Sequence, residues 1–265
     1  MQYMFDKEKL LSHLHREDDR KLGDFILDKI EKVLERKSIE RTNFLNPYQR
    51  KVALGLIEQI NGVNHLTEGG YKKAERQRIV IFPDYLFPDH VESSIKVIKV
   101  EGNFNFKNIT HKDFLGAILG LGIKREMVGD ILVLDEFAQI IIAEEIYDFV
   151  DLHFKNVNEV PIEVSKIAKD DIVIPTQNTK DIPTTVASLR LDAVASAGFG
   201  DSRSKISRDI KNKRVKLNFK VVTDPASEVE VGDLISIRNR GRVEVAERRG
   251  LSNRNRIKLL LKRYT

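Results

Sequence analysis

The chain has 265 residues with 45 Lys or Arg, 40 Asp or Glu and no cysteine, which excludes disulfides, thiolate metal sites and a thiol nucleophile. Apolar residues make up 41% and charged residues 32%, the balance of a globular protein with real cores and not of a disordered chain. The net charge of +5 conceals an asymmetry, because residues 185–265 carry 19 Lys or Arg against 9 Asp or Glu while the rest carries 26 against 31; this points to a polyanion-binding module on a mildly acidic body.

No apolar run approaches the roughly 20 residues needed to span a bilayer. The opening "MQYMFDKEKLLSHLHREDDRK" has no apolar secretory core, so a cytoplasmic protein is expected. Residues 1–75 are expected to form a mainly helical N-terminal region. Leu22, Phe25, Ile26, Ile30, Val33 and Leu34 recur at helical spacing behind an acidic "EDD" that suits a helix start. "NPYQ" at 46–49 supplies a second start: Asn46 caps, Pro47 fits the first turn and Gln49 completes a capping box. "GGYKKAERQRIVIFP" (69–83) then brings two glycines, a basic cluster and a short apolar strand.

Residues 76–174 are expected to form a middle domain. "SIKVIKV" (94–100) predicts a strand, "HKDFLGAILGLG" (111–122) a helix, and "DILVL" (130–134) and "QIIIA" (139–143) two strands. "EEIYDFVDLHFK" (144–155) predicts a helix with Ile146, Phe149, Val150, His153 and Phe154 on one stripe, and "EVPIEV" (159–164) a last strand. Strand, helix, strand, strand, helix, strand is the ferredoxin-like plan. "QIIIA" lacks the aromatics on which such sheets stack bases, so RNA binding by the sheet is not expected. The polar, aperiodic "PTQNTKDIPTT" (175–185) is expected to be a linker. The fold class is therefore α+β and multidomain.

In residues 186–265, "LRLDAVASAGF" (189–199) predicts a helix, and Asp201 or Ser202 caps a second one. Residues 201–222 hold eight Lys or Arg against two Asp. On the second helix Ile206 and Ile210 share one face, while Arg203, Lys205, Arg208 and Lys211 occupy much of the rest. "RVKLNFKVV" predicts a strand with Val215, Leu217, Phe219 and Val221 inward and Lys216 and Lys220 outward, followed by "EVEVGDLISI" (228–237) as its neighbour.

Arg190, Leu191, Asp192, Ser202, Arg203, Ile210, Val215, Asn218, Lys220, Val231, Gly232 and Asp233 together resemble the S4 RNA-binding domain. Two positions depart from that pattern: Lys213 stands where glycine is usual, and Phe219 follows Asn218 where "NG" usually makes the hairpin turn. "FLNP", "GGYKKAER" and "HKDFLGAILGLGIKREMVGDI", in this order before the S4 module, are similar to the YlmH family of bacterial S4-domain proteins. The resemblance covers nearly the whole chain. It implies binding to the large (50S) ribosomal subunit, with 23S ribosomal RNA and transfer RNA as partners, in rescue of stalled nascent chains.

The RNA-binding residues expected on this basis are Arg190, Ser202, Arg203, Lys205, Arg208, Lys211, Lys213, Arg214, Lys216, Asn218, Lys220, Arg240 and Arg242, acting on phosphates more than on bases. Lys72, Lys73, Arg76 and Arg78 form a candidate second contact. Lys124 and Arg125 are candidates for RNA contact and equally for complementing a helix dipole. "RLD" at 190–192 is similar to the motif around the catalytic Asp of pseudouridine synthases, but here it lies within the S4 match and only about seventy residues follow, so Asp192 is expected to support its helix. The histidines show no metal-binding spacing, and His153 is expected in the core. No catalytic residue, metal or cofactor is expected. An RNA-modifying enzyme, or an adaptor whose N-terminal region holds a protein partner, is the alternative.

Overall fold

The computed structural model describes residues 5–104, 109–176 and 178–264. They fold as two compact units that divide after residue 175. No described helix is long and apolar enough to cross a membrane.

The first unit begins with α1 (Lys7–Leu11), α2 (Glu17–Arg36), β1 (Glu40–Arg41), α3 (Pro47–Ile57), β2 (Val63–Glu68) and β3 (Arg78–Pro83). Three acids open α2, and Lys37 closes it in the left-handed conformation. At α3 the capping box of Asn46 and Gln49 forms as the sequence predicts, with Pro47 in the first turn. Ile26, Leu27, Ile30, Val33 and Leu34 of α2 pack with Leu56 and Ile57 of α3 and with Ile79 and Ile81 of β3. β3 is the centre of a three-stranded antiparallel sheet in the order β1-β3-β2. The strand at 78–83 thus belongs with the N-terminal helices and not with the middle sheet. Its continuous apolar run carries no alternation to say which sheet takes it.

Next come β4 (Ile95–Gly102), α4 (His111–Gly120), β5 (Val128–Val133), β6 (Phe137–Ala143), α5 (Tyr147–His153), β7 (Asn156–Val157) and β8 (Val160–Ile167). The sheet is antiparallel in the order β5-β6-β4-β8-β7, which is the ferredoxin-like arrangement with a two-residue strand added at one edge. Ile98, Val100, Ile140 and Ile142 face Phe114 and Ile118 of α4 and Val150 of α5. The alternate residues Ile95, Val97 and Ile141 pack with Phe44, Tyr71 and Ile172. Both faces are covered, which explains why "QIIIA" is apolar without alternation. His153 is a correction: it is exposed, its ring against that of Phe149, because α5 ends there and Phe154 enters the core from beyond the helix.

The second unit comprises β9 (Thr179–Val186), α6 (Leu191–Phe199), α7 (Arg203–Lys211), β10 (Val215–Leu217), β11 (Lys220–Val221), β12 (Leu234–Ile237), β13 (Gly241–Leu251) and β14 (Ile257–Tyr264). Its six strands run antiparallel in the order β11-β10-β12-β13-β14-β9. Residues 179–185, expected within a linker, therefore belong to the edge strand β9, which is paired along its length with β14. Pro183 and the polar residues suit an edge but hide it from periodicity. One core unites Leu191, Val194, Ile206, Ile210, Val215, Ile235, Val243 and Leu261. α6 lies so close to the sheet that a Cβ on Gly198 would stand 2.7 Å from Cγ1 of Val243. That approach requires glycine.

The strand expected at 215–222 is broken into a hairpin. Asn218 and Phe219 have φ of 48° and 67°, so β10 turns back through two left-handed residues onto β11. This is the turn that favours Asn-Gly, and Phe219 adopts it without glycine's freedom. Lys213, the other departure from the S4 pattern, is also left-handed at φ 59°.

Candidate nucleic-acid interface

α7 is an amphipathic helix anchored from below. Ser202 caps it by accepting from the Lys205 amide at 3.3 Å, and Ile206 and Ile210 are fully buried. Burying each isoleucine contributes about 1.5–3 kcal/mol, which fixes the opposite face toward solvent. Arg203, Lys205, Arg208 and Lys211 on the helix, then Lys213, Arg214, Lys216 and Lys220 after it, are all exposed.

Their partners divide them. Arg203 donates to Asp192 at 2.8 Å, and Arg190 reaches the same carboxylate at 3.2 Å. Lys205 meets Asp201 at 3.0 Å and Arg214 meets Asp209 at 3.6 Å. Arg240 is half-buried between Asp201 and Asp209, with its guanidinium over the Phe199 ring, and so ties α6, α7 and the start of β13 together. Arg242 lies over the Phe219 ring at 5.6 Å. Asn218 is a turn residue: its amide donates to Asp233 at 2.6 Å and its carbonyl accepts from the Leu234 amide at 2.9 Å. Arg208, Lys211, Lys213 and Lys216 face no carboxylate among the described residues. They form the open part of the cationic surface.

Asp192 is nearly buried beneath this surface. Burial alone would raise its pKa, but the hydrogen bonds from Arg190 and Arg203 outweigh it and hold the carboxyl below its usual 3.8. A carboxyl whose folded pKa is depressed adds stability above its unfolded pKa, and that stability is lost as pH falls through the folded value. Asp192→Asn is therefore expected to destabilise the protein at neutral pH. The gap from wild type should close as pH drops below the ordinary carboxylate range, as read by urea unfolding across a pH series; a gap independent of pH would contradict the ion-pair role.

The second candidate cluster separates into surface and interior. Lys72, Lys73 and Lys124 are exposed. Arg78 is not, and this is a correction: it is only 2% exposed, donating to the carbonyls of Thr42 and Ser94 and forming two bonds to Glu145. Arg76 likewise turns inward, to the carbonyls of Val128 at 3.1 Å and Phe44 at 2.9 Å. Asp130 gathers the "GGYKKAER" segment by accepting from the Tyr71 hydroxyl and from the amides of Glu75 and Arg76. Arg125 bonds the Val128 carbonyl, and burial, then the neighbouring Arg76, pushes its pKa down to about 10. Arg76, Arg78 and Arg125 therefore hold the fold, leaving three lysines on the surface.

Five exposed cations escaped the site predicted from sequence: Arg248, Arg249, Arg254, Arg256 and Lys258, all near the tip of the β13–β14 hairpin. The signal was present in "ERRGLSNRNRIK" (247–258), which has one acid against those five. No group of three or more His, Cys, Asp or Glu among the described residues is placed to hold a metal.

Sequence models of known families match three consecutive stretches: "YlmH, N-terminal" over residues 19–86, "Putative RNA-binding domain in YlmH" over 88–171 and "S4 domain" over 189–235. The chain is 32% identical over 248 residues to "Ribosome-associated protein quality control protein P2" of Bacillus subtilis (strain 168), covering 94% of this chain and 96% of that protein. Among solved structures, "Cell division protein ylmH from Streptococcus pneumoniae" matches with a TM-score of 0.51 and 28% identity, over 60% of this chain and 96% of that one.

Proposed function

This chain belongs to the YlmH family, and from that premise we propose that it is a cytoplasmic factor that binds ribosomal or transfer RNA on the large ribosomal subunit, in rescue of stalled nascent chains, and alters no bond in the RNA. The observation that carries the reading is the open cationic surface that Arg208 and Lys211 begin on a helix whose other face is locked by Ile206 and Ile210, and that Lys213 in the following turn and Lys216 in β10 continue. Cations held at fixed spacing by a rigid core match a phosphate backbone. Arg binds phosphate through a fork and Lys through a point charge. The name of the Bacillus subtilis relative supports both the ribosome and the quality-control role.

The non-catalytic part rests on Asp192, the one acid that the sequence likens to a catalytic residue. Its carboxylate already accepts from Arg190 and Arg203 and is nearly buried. In the layout that we propose, the S4 module from residue 186 holds the RNA, and the region of α1–α3 and the ferredoxin-like domain make up the rest of the chain.

The test is gradient co-sedimentation with separated ribosomal subunits at low and moderate salt, followed by mass analysis of the RNA. Migration with the large subunit, weakening as salt rises, is expected. Migration only with free RNA, or equally with both subunits, would overturn the ribosomal part. A modified or cleaved nucleotide that depends on the protein would overturn the non-catalytic part.

A further inference from the structure

We propose that the β13–β14 hairpin is a second phosphate-binding arm that grips structured RNA apart from the α7 surface; this rests on the RNA-binding reading above. β12 pairs with β13 only over residues 241–244, yet β13 continues to Leu251. Beyond Glu244 it pairs with β14 alone, through two register shifts. On the other side β9 flanks β14 as far as Val186, opposite Ile257, so beyond Glu244 it is the β13 edge of the hairpin that has no strand beside it, and the register shifts increase its local twist.

The tip is built, not frayed. The Ser252 amide donates to the Arg256 carbonyl at 2.7 Å, and the Asn255 amide to the Ser252 carbonyl at 2.9 Å. The Ser252 hydroxyl accepts from the Arg256 amide at 3.1 Å. Gly250 and Asn255 take the positive φ values the turn needs. Arg256 is anchored to β9 through the Thr185 carbonyl at 2.9 Å, and Arg249 pairs with Glu247 at 2.7 Å. Arg248, Arg254 and Lys258 stand exposed, with no carboxylate partner among the described residues.

Three like charges on one hairpin repel each other, and no carboxylate among the described residues pairs with any of them. A polyanion offsets that repulsion. The chemistry favours a phosphate backbone over bases, because residues 241–258 contain no aromatic side chain on which a base could stack. It also favours a structured RNA over a short anionic group. Arg240, just before β13, is bound to the acids beside α7, whereas the tip is at the strand's far end, eleven residues on. At about 3.3 Å per residue the two ends lie on the order of 30 Å apart. A ligand that meets both surfaces must be extended and rigid. Joining two such binding surfaces in one chain raises the effective concentration of the second, so neither needs to be strong alone.

The experiment uses the full chain and purified ribosomal RNA, comparing Arg248→Glu/Arg254→Glu/Lys258→Glu, the same three positions changed to Gln, and Arg208→Glu/Lys211→Glu/Lys216→Glu as reference. With the thermal unfolding midpoint unchanged, the hairpin Glu variant should bind more than tenfold more weakly. Its log–log salt slope should flatten by about two to three units, near one for each phosphate that the arm no longer neutralises. The Gln variant should flatten the slope alike with a smaller drop in affinity, which separates the removal of attraction from the introduction of repulsion. Wild-type affinity and slope in both hairpin variants, with the reference variant weakened, would overturn the second arm and leave RNA binding by α7 intact. Wild-type behaviour in all three would overturn the RNA-binding reading itself.

Discussion

Arg78→Met is expected to lower the thermal unfolding midpoint of the first unit by about 10 °C. The guanidinium of Arg78 is enclosed by the carbonyls of Thr42 and Ser94 and the carboxylate of Glu145, at 2.6–2.7 Å throughout. Removing one partner of a buried ion pair costs roughly 3–5 kcal/mol, because the groups left behind lose their partner without regaining water. The lower end applies here, since the Glu145 side chain is 50% exposed and rehydrates, while the two carbonyls do not. In a unit of this size each kcal/mol moves the midpoint by about 2–4 °C. The converse change, Glu145→Gln, keeps a neutral acceptor on Arg78 and should cost clearly less. Calorimetry on both variants checks the asymmetry. Equal small effects would mean that Arg78 is a surface cation after all, and would return it to the candidate second RNA contact.

Arg78 also shows where a sequence stops being legible. Its partners lie 36, 16 and 67 residues away, so within "KKAERQR" nothing separates it from its solvated neighbours. The features that were legible are local or ordinal. The capping box at Asn46 lies within four residues, and the ferredoxin-like plan follows from the order of short elements whose strands then pair as that plan requires. β9 was not legible, because its partner β14 begins at Ile257, more than seventy residues on, and an edge strand need not alternate. The hairpin at Asn218–Phe219 was hidden by its own side chains. Val215, Leu217, Phe219 and Val221 alternate as a strand should, and only the backbone shows the reversal.

The candidate cationic surface was legible in its position but not in its membership. Cations at helical spacing around two isoleucines located α7, because that pattern depends on the helix alone. Which cations remain open depends on acids that the fold delivers: Asp192 to Arg190 and Arg203, Asp201 to Lys205 and Arg240, Asp209 to Arg214. Pairs whose cation is exposed, as at Lys205 and Arg214, stabilise little beside those on the nearly buried Asp192. Their larger effect is to fix the direction of the arginines, which leaves a patterned surface instead of a uniform one.

The change with the largest expected effect on function is accordingly Arg208→Glu/Lys211→Glu/Lys216→Glu. These three cations are exposed and face no carboxylate among the described residues, so reversing them breaks no internal pair and should leave the unfolding midpoint in place. If each meets one phosphate, the salt dependence of RNA binding should flatten by about two to three log–log units. Affinity at low salt should fall by on the order of a hundredfold or more, because reversal replaces attraction by repulsion at each position. Arg203→Glu should behave differently. It removes the ion pair with Asp192 and places a second carboxylate beside it, so this change is expected to lower stability as well as binding. Titration of a structured RNA at several salt concentrations, with the unfolding midpoint measured on the same samples, separates the two. If the triple variant binds with unchanged affinity and slope, the open cations only solubilise the helix; if Arg203→Glu loses binding alone at full stability, its link to Asp192 is incidental and the arginine belongs with the open surface.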